Sequence, residues 1–255
     1  MFRIHPGFFF ALVFALLAVA TFTGHRIRIR SQASVERESD SLKTLEGAIL
    51  AMLGLLLGFT FSMALSRYDQ RVQLEIAEAN NLGTLWLRTS LLSEGARTAE
   101  RALLRGYVPV RLKFLSAGTD AAQMDQTQRQ TGNLQTQMWH VATAEANARR
   151  DPETALFVSA LNDSIDATEK RTAALENRIP PTAWVLLLGL AAVASVVVGT
   201  GLRARSAWLR VLLPVVLSTA LALVYDLDSP RSGLIRVQQQ SMLRVQQQIQ
   251  APPVD

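Results

Sequence analysis

The chain has 255 residues, 49% of them hydrophobic but only 7% aromatic, with 26 Lys and Arg against 21 Asp and Glu. The basic excess is small and dispersed, without a stripe interleaved with aromatics, which argues against a nucleic-acid partner. There is no cysteine, and that removes disulfide frameworks, Cys-based zinc sites, iron–sulfur ligation and a cysteine nucleophile.

The apolar residues gather in four blocks, a pattern that selects an all-α membrane protein. The first block, GFFFALVFALLAVATFTG (Gly7 to Gly24), is uncharged. A bilayer core about 30 Å thick needs roughly 20 helical residues, so the block is just long enough to span. A secretory signal peptide is the competing reading, because Arg3 precedes the run. Against it, the run exceeds a typical h-region, and HRIRIR follows where a small-residue cleavage site would stand. The second block, GAILAMLGLLLGFTFSMALS (Gly47 to Ser66), carries Gly47, Gly54 and Gly58 on one helical face. Small residues there allow another helix to approach closely. Residues 1–66 therefore read as a first transmembrane hairpin, with helices over about 7–24 and 47–66.

Residues 67–181 are charged, rich in Ala, Gln, Thr and Glu, and poor in strand formers. They read as an antiparallel helical bundle inserted between membrane hairpins. The second membrane helix continues to about Leu92, and a further helix over Arg97 to Leu115 is expected to break near GYVPV. In the last helix Asp151 caps the start and Pro152 takes the first position, whose N–H needs no partner. Val158, Leu161, Ile165, Thr168, Thr172, Leu175 and Ile179 then recur at spacings of 3 and 4, a seam weakened at its centre by two threonines. Met124, Thr131 and Met138, with Leu134 and Val141, repeat the spacing upstream.

The third block, TAWVLLLGLAAVASVVVGTGL (Thr182 to Leu202), follows Pro180 and Pro181, and Trp184 sits at an interfacial position. The fourth, VLLPVVLSTALALVY (Val211 to Tyr225), contains Pro214 and reaches spanning length with Trp208 and Leu209. Joined by RARSAWLR, the two predict a second hairpin over 182–226, with helices over about 182–202 and 209–225. The remainder, 227–255, is an elbow and a short amphipathic tail in which RVQQQ occurs at Arg236 and again at Arg244.

Loop charge bears on orientation. Arg26, Arg28, Arg30, Arg37 and Lys43 crowd the first hairpin loop, and Arg203, Arg205 and Arg210 the second. Their density puts these loops inside and the bundle outside. Chemistry has few candidates. His5 and His25 flank the first block, and His140 follows Trp139 on a bundle helix, so no zinc ligand spacing exists. GTGLRARS lacks the strand of a phosphate loop. No cofactor and no catalytic residue is expected, and the protein is not read as an enzyme. Glu75 and Glu78, with Asn80 and Asn81, read as a solvated face or a pore vestibule. No apolar block holds an ionisable residue, which disfavours a proton-coupled pump. Gly58, Phe59 and Phe61 could form a constriction that gates by dewetting, or could simply pack helices or meet lipid. At the end of the fourth block, Asp228, Pro230, Arg231 and Gly233 read as a structural elbow. Cation binding by Asp226 and Asp228 is the minority alternative.

Three passages resemble the bestrophin-like domain proteins of bacteria. They are LGLLLGFTFSMALSRYDQRVQLEIAEANNLGTLWLR (Leu53 to Arg88), the third-to-fourth hairpin, and LDSPRSGLIRV (Leu227 to Val237). The resemblance implies a multi-pass protein of the bacterial inner membrane. A more distant likeness to bestrophin anion channels implies a homo-oligomer in the lipid bilayer, with four membrane helices per subunit and a pore for inorganic anions such as chloride lined by the second. Leu57, Gly58 and Phe59 answer the LGF-like element of that family. Tyr68, Asp69 and Arg71 answer its aromatic–acid–x–Arg stretch, at a longer separation. The calcium clasp of animal bestrophins has no counterpart. Bestrophin topology puts the insert and termini in the cytoplasm, opposite to the charge density. The rival reading is a non-conducting sensor or scaffold whose bundle binds a ligand or partner.

Overall fold

A computed structural model describes residues 5–30, 39–201 and 208–251. Arg3, Arg37, Arg203 and Arg205 of the charge argument lie outside the described residues. Helix accounts for 88% of what is described, with no strand among the described residues. The helices are α1 (Pro6–Arg30), α2 (Ser39–Arg88), α3 (Glu94–Ser116), α4 (Ala121–Ala148), α5 (Pro152–Glu176), α6 (Pro181–Gly201), α7 (Leu209–Leu227) and α8 (Gln240–Gln250), with a 3₁₀ turn at Thr89–Leu91. Among the described residues, four helices are long and apolar enough, by length and composition, to cross a membrane. The chain divides into two compact units, Met1–Tyr68 with Arg178–Arg236, and Asp69–Asn177 with Val237–Asp255.

In the first unit α1 turns a buried stripe of Phe9, Val13, Leu17, Thr21 and Gly24 inward, at spacings of 4, 4, 4 and 3 that keep one helical face together. It meets Trp184, Leu187, Ala191, Ser195 and Gly199 of α6. Phe9 lies edge-on to Trp184 at 5.5 Å, and at the other end Gly24 abuts Gly199, so α1 and α6 run parallel. Phe9 also stacks on Tyr225 of α7 at 4.2 Å, which makes α7 antiparallel to α1. α6 and α7 touch each other over only a few residues, and each packs more extensively on α1. The sequence pairs α6 with α7 in a hairpin; the structure adds α1 as the helix on which both rest.

Lipid is as apolar as leucine, so membrane helices associate through close packing, which small residues permit. Here the close approach belongs to Gly24 and Gly199. A Cβ on Gly24 would lie 2.0 Å from the Val196 carbonyl oxygen, and one on Gly199 would lie 2.2 Å from that of Thr21. Gly47, Gly54 and Gly58 of α2, read from sequence as a close-packing face, have nothing within 4 Å of such a Cβ. α7 continues through Pro214, the residue whose carbonyl accepts from the Ser218 hydroxyl at 2.5 Å.

In the second unit the core is built from Leu82 and Leu85 of α2, Leu104 and Tyr107 of α3, Met138 and Ala142 of α4, Phe157 and Leu161 of α5, and Met242, Val245 and Ile249 of α8. α3 and α4 are antiparallel about a turn where Gly118 takes φ 59°, a left-handed conformation that glycine adopts without penalty. Asp120 and Asp151 accept from the backbone N–H of Gln123 and Thr154, capping α4 and α5. The expected break at GYVPV does not occur, since α3 runs unbroken through Pro109. Proline there removes one backbone hydrogen bond, but Tyr107, Val108 and Arg111 on either side are buried and hold the helix in place. The tail also differs from expectation. Only the second RVQQQ lies inside α8, whereas residues 236–239 are non-helical.

Gly24→Val should lower the melting temperature of the purified protein markedly, because overpacking of this kind costs about 1–3 kcal/mol. Gly189→Ala, on a face with nothing within 4 Å, should leave it unchanged.

Candidate functional site

The membrane stretch of α2 divides its residues sharply. Leu53, Thr60 and Ala64 are buried within the first unit, whereas Phe59 is 63% exposed and Phe61 38%. Gly58 faces open space between them. In an 18-residue window of this helix only 17% is buried, against 33% in α1 and 44% in α7. The chain itself thus leaves each of the three constriction candidates uncovered, although Phe59 and Phe61, two positions apart, point to different sides of the helix.

At the end of α7 the elbow is built by carboxylates accepting backbone hydrogens. Asp226 Oδ1 accepts from Leu234 N–H at 2.6 Å and its Oδ2 from Ile235 N–H at 3.0 Å. Asp228 accepts from Ile179 N–H with both oxygens, at 3.0 and 3.2 Å, and lies 3.6 Å from the Arg67 guanidinium. Gly233 N–H donates to the Ser229 carbonyl at 2.9 Å, and Pro230 and Arg231 are half-buried in the turn between. A Cβ on Gly233 would lie 2.7 Å from the carbonyl oxygens of both Asp226 and Ser229. The structure therefore brings Asp226, Asp228 and Gly233 together, with the acceptor capacity of both aspartates directed at donors. No group of three or more His, Asp or Glu that could hold a metal occurs among the described residues.

A third constellation, in the second unit, corrects the sequence reading. Glu75 and Glu78 are not a solvated face: both are buried, Glu78 with no exposure at all. Arg111 Nε of α3 donates to Glu78 Oε1 and Arg171 Nη1 of α5 to Oε2, each at 2.6 Å. The Thr168 hydroxyl reaches Oε1 at 3.3 Å and pairs with the Tyr107 hydroxyl at 2.9 Å, which in turn accepts from Gln135 Nε2 at 3.0 Å. Burial pushes the Tyr107 hydroxyl above its ordinary pKa. Arg171 also donates to Gln239. Glu75 accepts from the backbone N–H of Ser241 and Met242, at 2.9 and 3.0 Å. It thereby caps α8, whose first N–H groups have no partner within the helix. Asn81 donates to the Asp163 carbonyl, and Asn80 is exposed.

The signal for this cluster is present in the sequence. Arg71, Glu75, Glu78, Leu82 and Leu85 are spaced 4, 3, 4 and 3, so the carboxylates continue an apolar seam. On α5 the buried row Phe157, Leu161, Ser164, Thr168 and Arg171 shares Leu161 and Thr168 with the row chosen by apolarity and replaces Val158, Ile165 and Thr172 by the residue one position before each. Thr168, taken as a weak point, is a partner of the Glu78 carboxylate.

Fold and hydropathy together define an all-α membrane protein. The bestrophin-like domain model matches residues 12–242, and the chain belongs to that family. Among solved structures it is similar to a variant of a bacterial bestrophin homologue from Klebsiella pneumoniae, with 14% identity over 93% of this chain and 96% of that one and a TM-score of 0.67. A second variant of that homologue gives 13% identity over 96% and 97% at a TM-score of 0.65. A membrane-protein structure described only as such gives 13% over 94% and 96% at 0.68. At these identities the likeness establishes the fold. No curated protein matches the sequence.

Removing one partner of a buried ion pair costs about 3–5 kcal/mol, because a charge is left desolvated and unpaired. Glu78→Ala should therefore lower the midpoint of denaturant unfolding strongly, whereas Asp125→Ala, from an exposed pair with Arg129, should not. In the first unit, Gly233→Ala should lower thermal stability while Gly54→Ala, with open space around it, should not.

Proposed function

We propose that the protein is a subunit of a homo-oligomeric, passive anion channel of the bacterial inner membrane, with α2 lining the pore and Gly58, Phe59 and Phe61 forming its hydrophobic constriction. The observation that carries this reading is the uncovered face of α2. α2 is the least buried of the apolar spans; Phe61 lies beside the unopposed glycines 47, 54 and 58, and Phe59 is exposed on an adjoining side of the helix. Glycines without a partner helix inside their own chain suit close approach by α2 of another copy. No ionisable residue lies between Gly47 and Ser66, so the wall offers no titrating group to couple transport to protons. Rings of phenylalanine admit ions when wetted and exclude them when dry.

In this reading Asp228, Pro230, Arg231 and Gly233 are a structural elbow, and Asp226 and Asp228 serve the backbone of the turn and not a cation. Membership of the bestrophin-like family and the bestrophin homologue among its structural neighbours support a channel over an enzyme.

Reconstitution into liposomes tests the proposal. Chloride flux should be detectable with the wild type and should rise several-fold with Phe59→Ala or Phe61→Ala. Val185→Ala, on an exposed position of α6, should leave flux unchanged. A stable monomer without flux would overturn the channel and favour a scaffold whose bundle binds a partner.

A further inference from the structure

Among the described residues six carboxylates are buried: Glu75, Glu78, Glu100, Glu145, Asp226 and Asp228. Five have partners. Glu78 holds Arg111 and Arg171, Glu75 caps α8, and Asp226 and Asp228 hold the elbow. Glu145 Oε1 accepts from Ser93 N–H and its Oε2 from the Ser93 hydroxyl, both at 2.8 Å, beside Arg149. Glu100, on the inner face of α3 with Leu104, Tyr107 and Val108, has no exposure, and neither carboxyl oxygen has a hydrogen-bond partner.

We propose that Glu100 is a proton-carrying group buried in the helical unit, and that the stability of this unit falls as pH rises from the acid range through neutrality. A desolvated carboxylate without a donor is far costlier than the neutral acid, so the group holds its proton while the helices remain packed. Burial alone raises its pKa from the ordinary 4.5 to about 8.

No ion pair or hydrogen bond reaches the Glu100 carboxyl from the surrounding elements. The 3₁₀ turn at Thr89–Leu91 brings no titratable group. On α4, Asp125 and Arg129 pair at the surface, His140 is exposed, and Glu145 is tied to Ser93 and Arg149. On α8, Arg244 is exposed and donates to Ser241. On α2 and α5, Glu75, Glu78 and Arg171 are held as described, and Arg71 donates to the Ala174 and Asn177 carbonyls. On α3 itself, Arg101 donates to Thr89 and Arg105 to the Ile249 carbonyl, and both guanidinium groups lie over the Trp86 ring. Arg111 is taken by Glu78.

The direction follows from proton linkage. Below about pH 4.5 folded and unfolded chains both carry the proton, and the contribution to stability is complete. Between about 4.5 and 8 only the folded chain retains it, so stability falls as pH rises; above about 8 both are ionised and no further change occurs. One proton shifts the unfolding equilibrium by up to about tenfold per pH unit across that window.

The test uses the full-length protein in detergent, independently of any flux measurement. The infrared spectrum of the wild type should contain the carbonyl stretch of a protonated carboxylic acid at about pH 6 that is lost by about pH 9 and is absent in Glu100→Gln. The melting temperature of the wild type should fall relative to Glu100→Gln up to about pH 8 and then run parallel to it. Glu100→Met serves the same comparisons if the glutamine variant does not fold. An acid band unaffected by either substitution, or melting curves parallel over the whole range, would overturn the proposal.

Discussion

A carboxylate buried completely between two guanidinium groups can be neither removed nor displaced without stranding a charge, and Glu78 places that constraint on α2, α3 and α5 together. The desolvation of three charged groups is offset only by short, well-aligned contacts, which the pair of 2.6 Å hydrogen bonds supplies. The apolar contacts of Leu82, Leu104, Phe157 and Leu161 are non-directional, whereas the Glu78 triad needs both guanidinium donors aligned on its two oxygens. Its role is better described as fixing the register of the bundle than as adding stability, since hydrophobic residues of similar volume often stabilise as well or better.

The same logic explains the tail. α8 is only 11 residues long, too short to be stable alone in water. It is held by three apolar side chains, by the Glu75 carboxylate at its N-terminus and by Arg105 at its last carbonyls. Polar groups that terminate helices across the bundle, instead of within them, tie elements distant in sequence to one another.

How much of this was legible in the sequence depended on which physical signal carried it. The four membrane helices, the all-α class and the caps at Asp151 and Pro152 could be read, because hydropathy and helix-start chemistry are local properties. The partners of Glu75 and Glu78 could not. A carboxylate at a seam position is ambiguous until the opposing Arg111 and Arg171 are known, and they lie 33 and 93 positions away. The glycine face of α2 meets no helix of its own chain, for a related reason. Gly47, Gly54 and Gly58 form a regular face by spacing, yet the close approach within the chain is made by Gly24 and Gly199, each near the end of its apolar block. Periodicity reports which residues share a face and says nothing about which face is opposed. The elbow lay between these cases: Asp228, Pro230 and Gly233 signalled a turn, while Ile179 as the acceptors' partner came only from the fold.

The parallel pairing of α1 with α6 also bears on how the protein is made. Gly24 and Gly199 are 175 positions apart, and at about 5–20 residues per second a ribosome needs on the order of 10–35 s to cover that distance. Until then the Phe9–Gly24 stripe of α1 lacks the α6 surface that covers it in the folded chain. The stripe is tolerable in a bilayer because it is apolar along its length, and Thr21, its one hydroxyl, donates to the Leu17 carbonyl of its own helix at 2.9 Å. The contact between Gly24 and Gly199 therefore cannot form until most of the chain has been made.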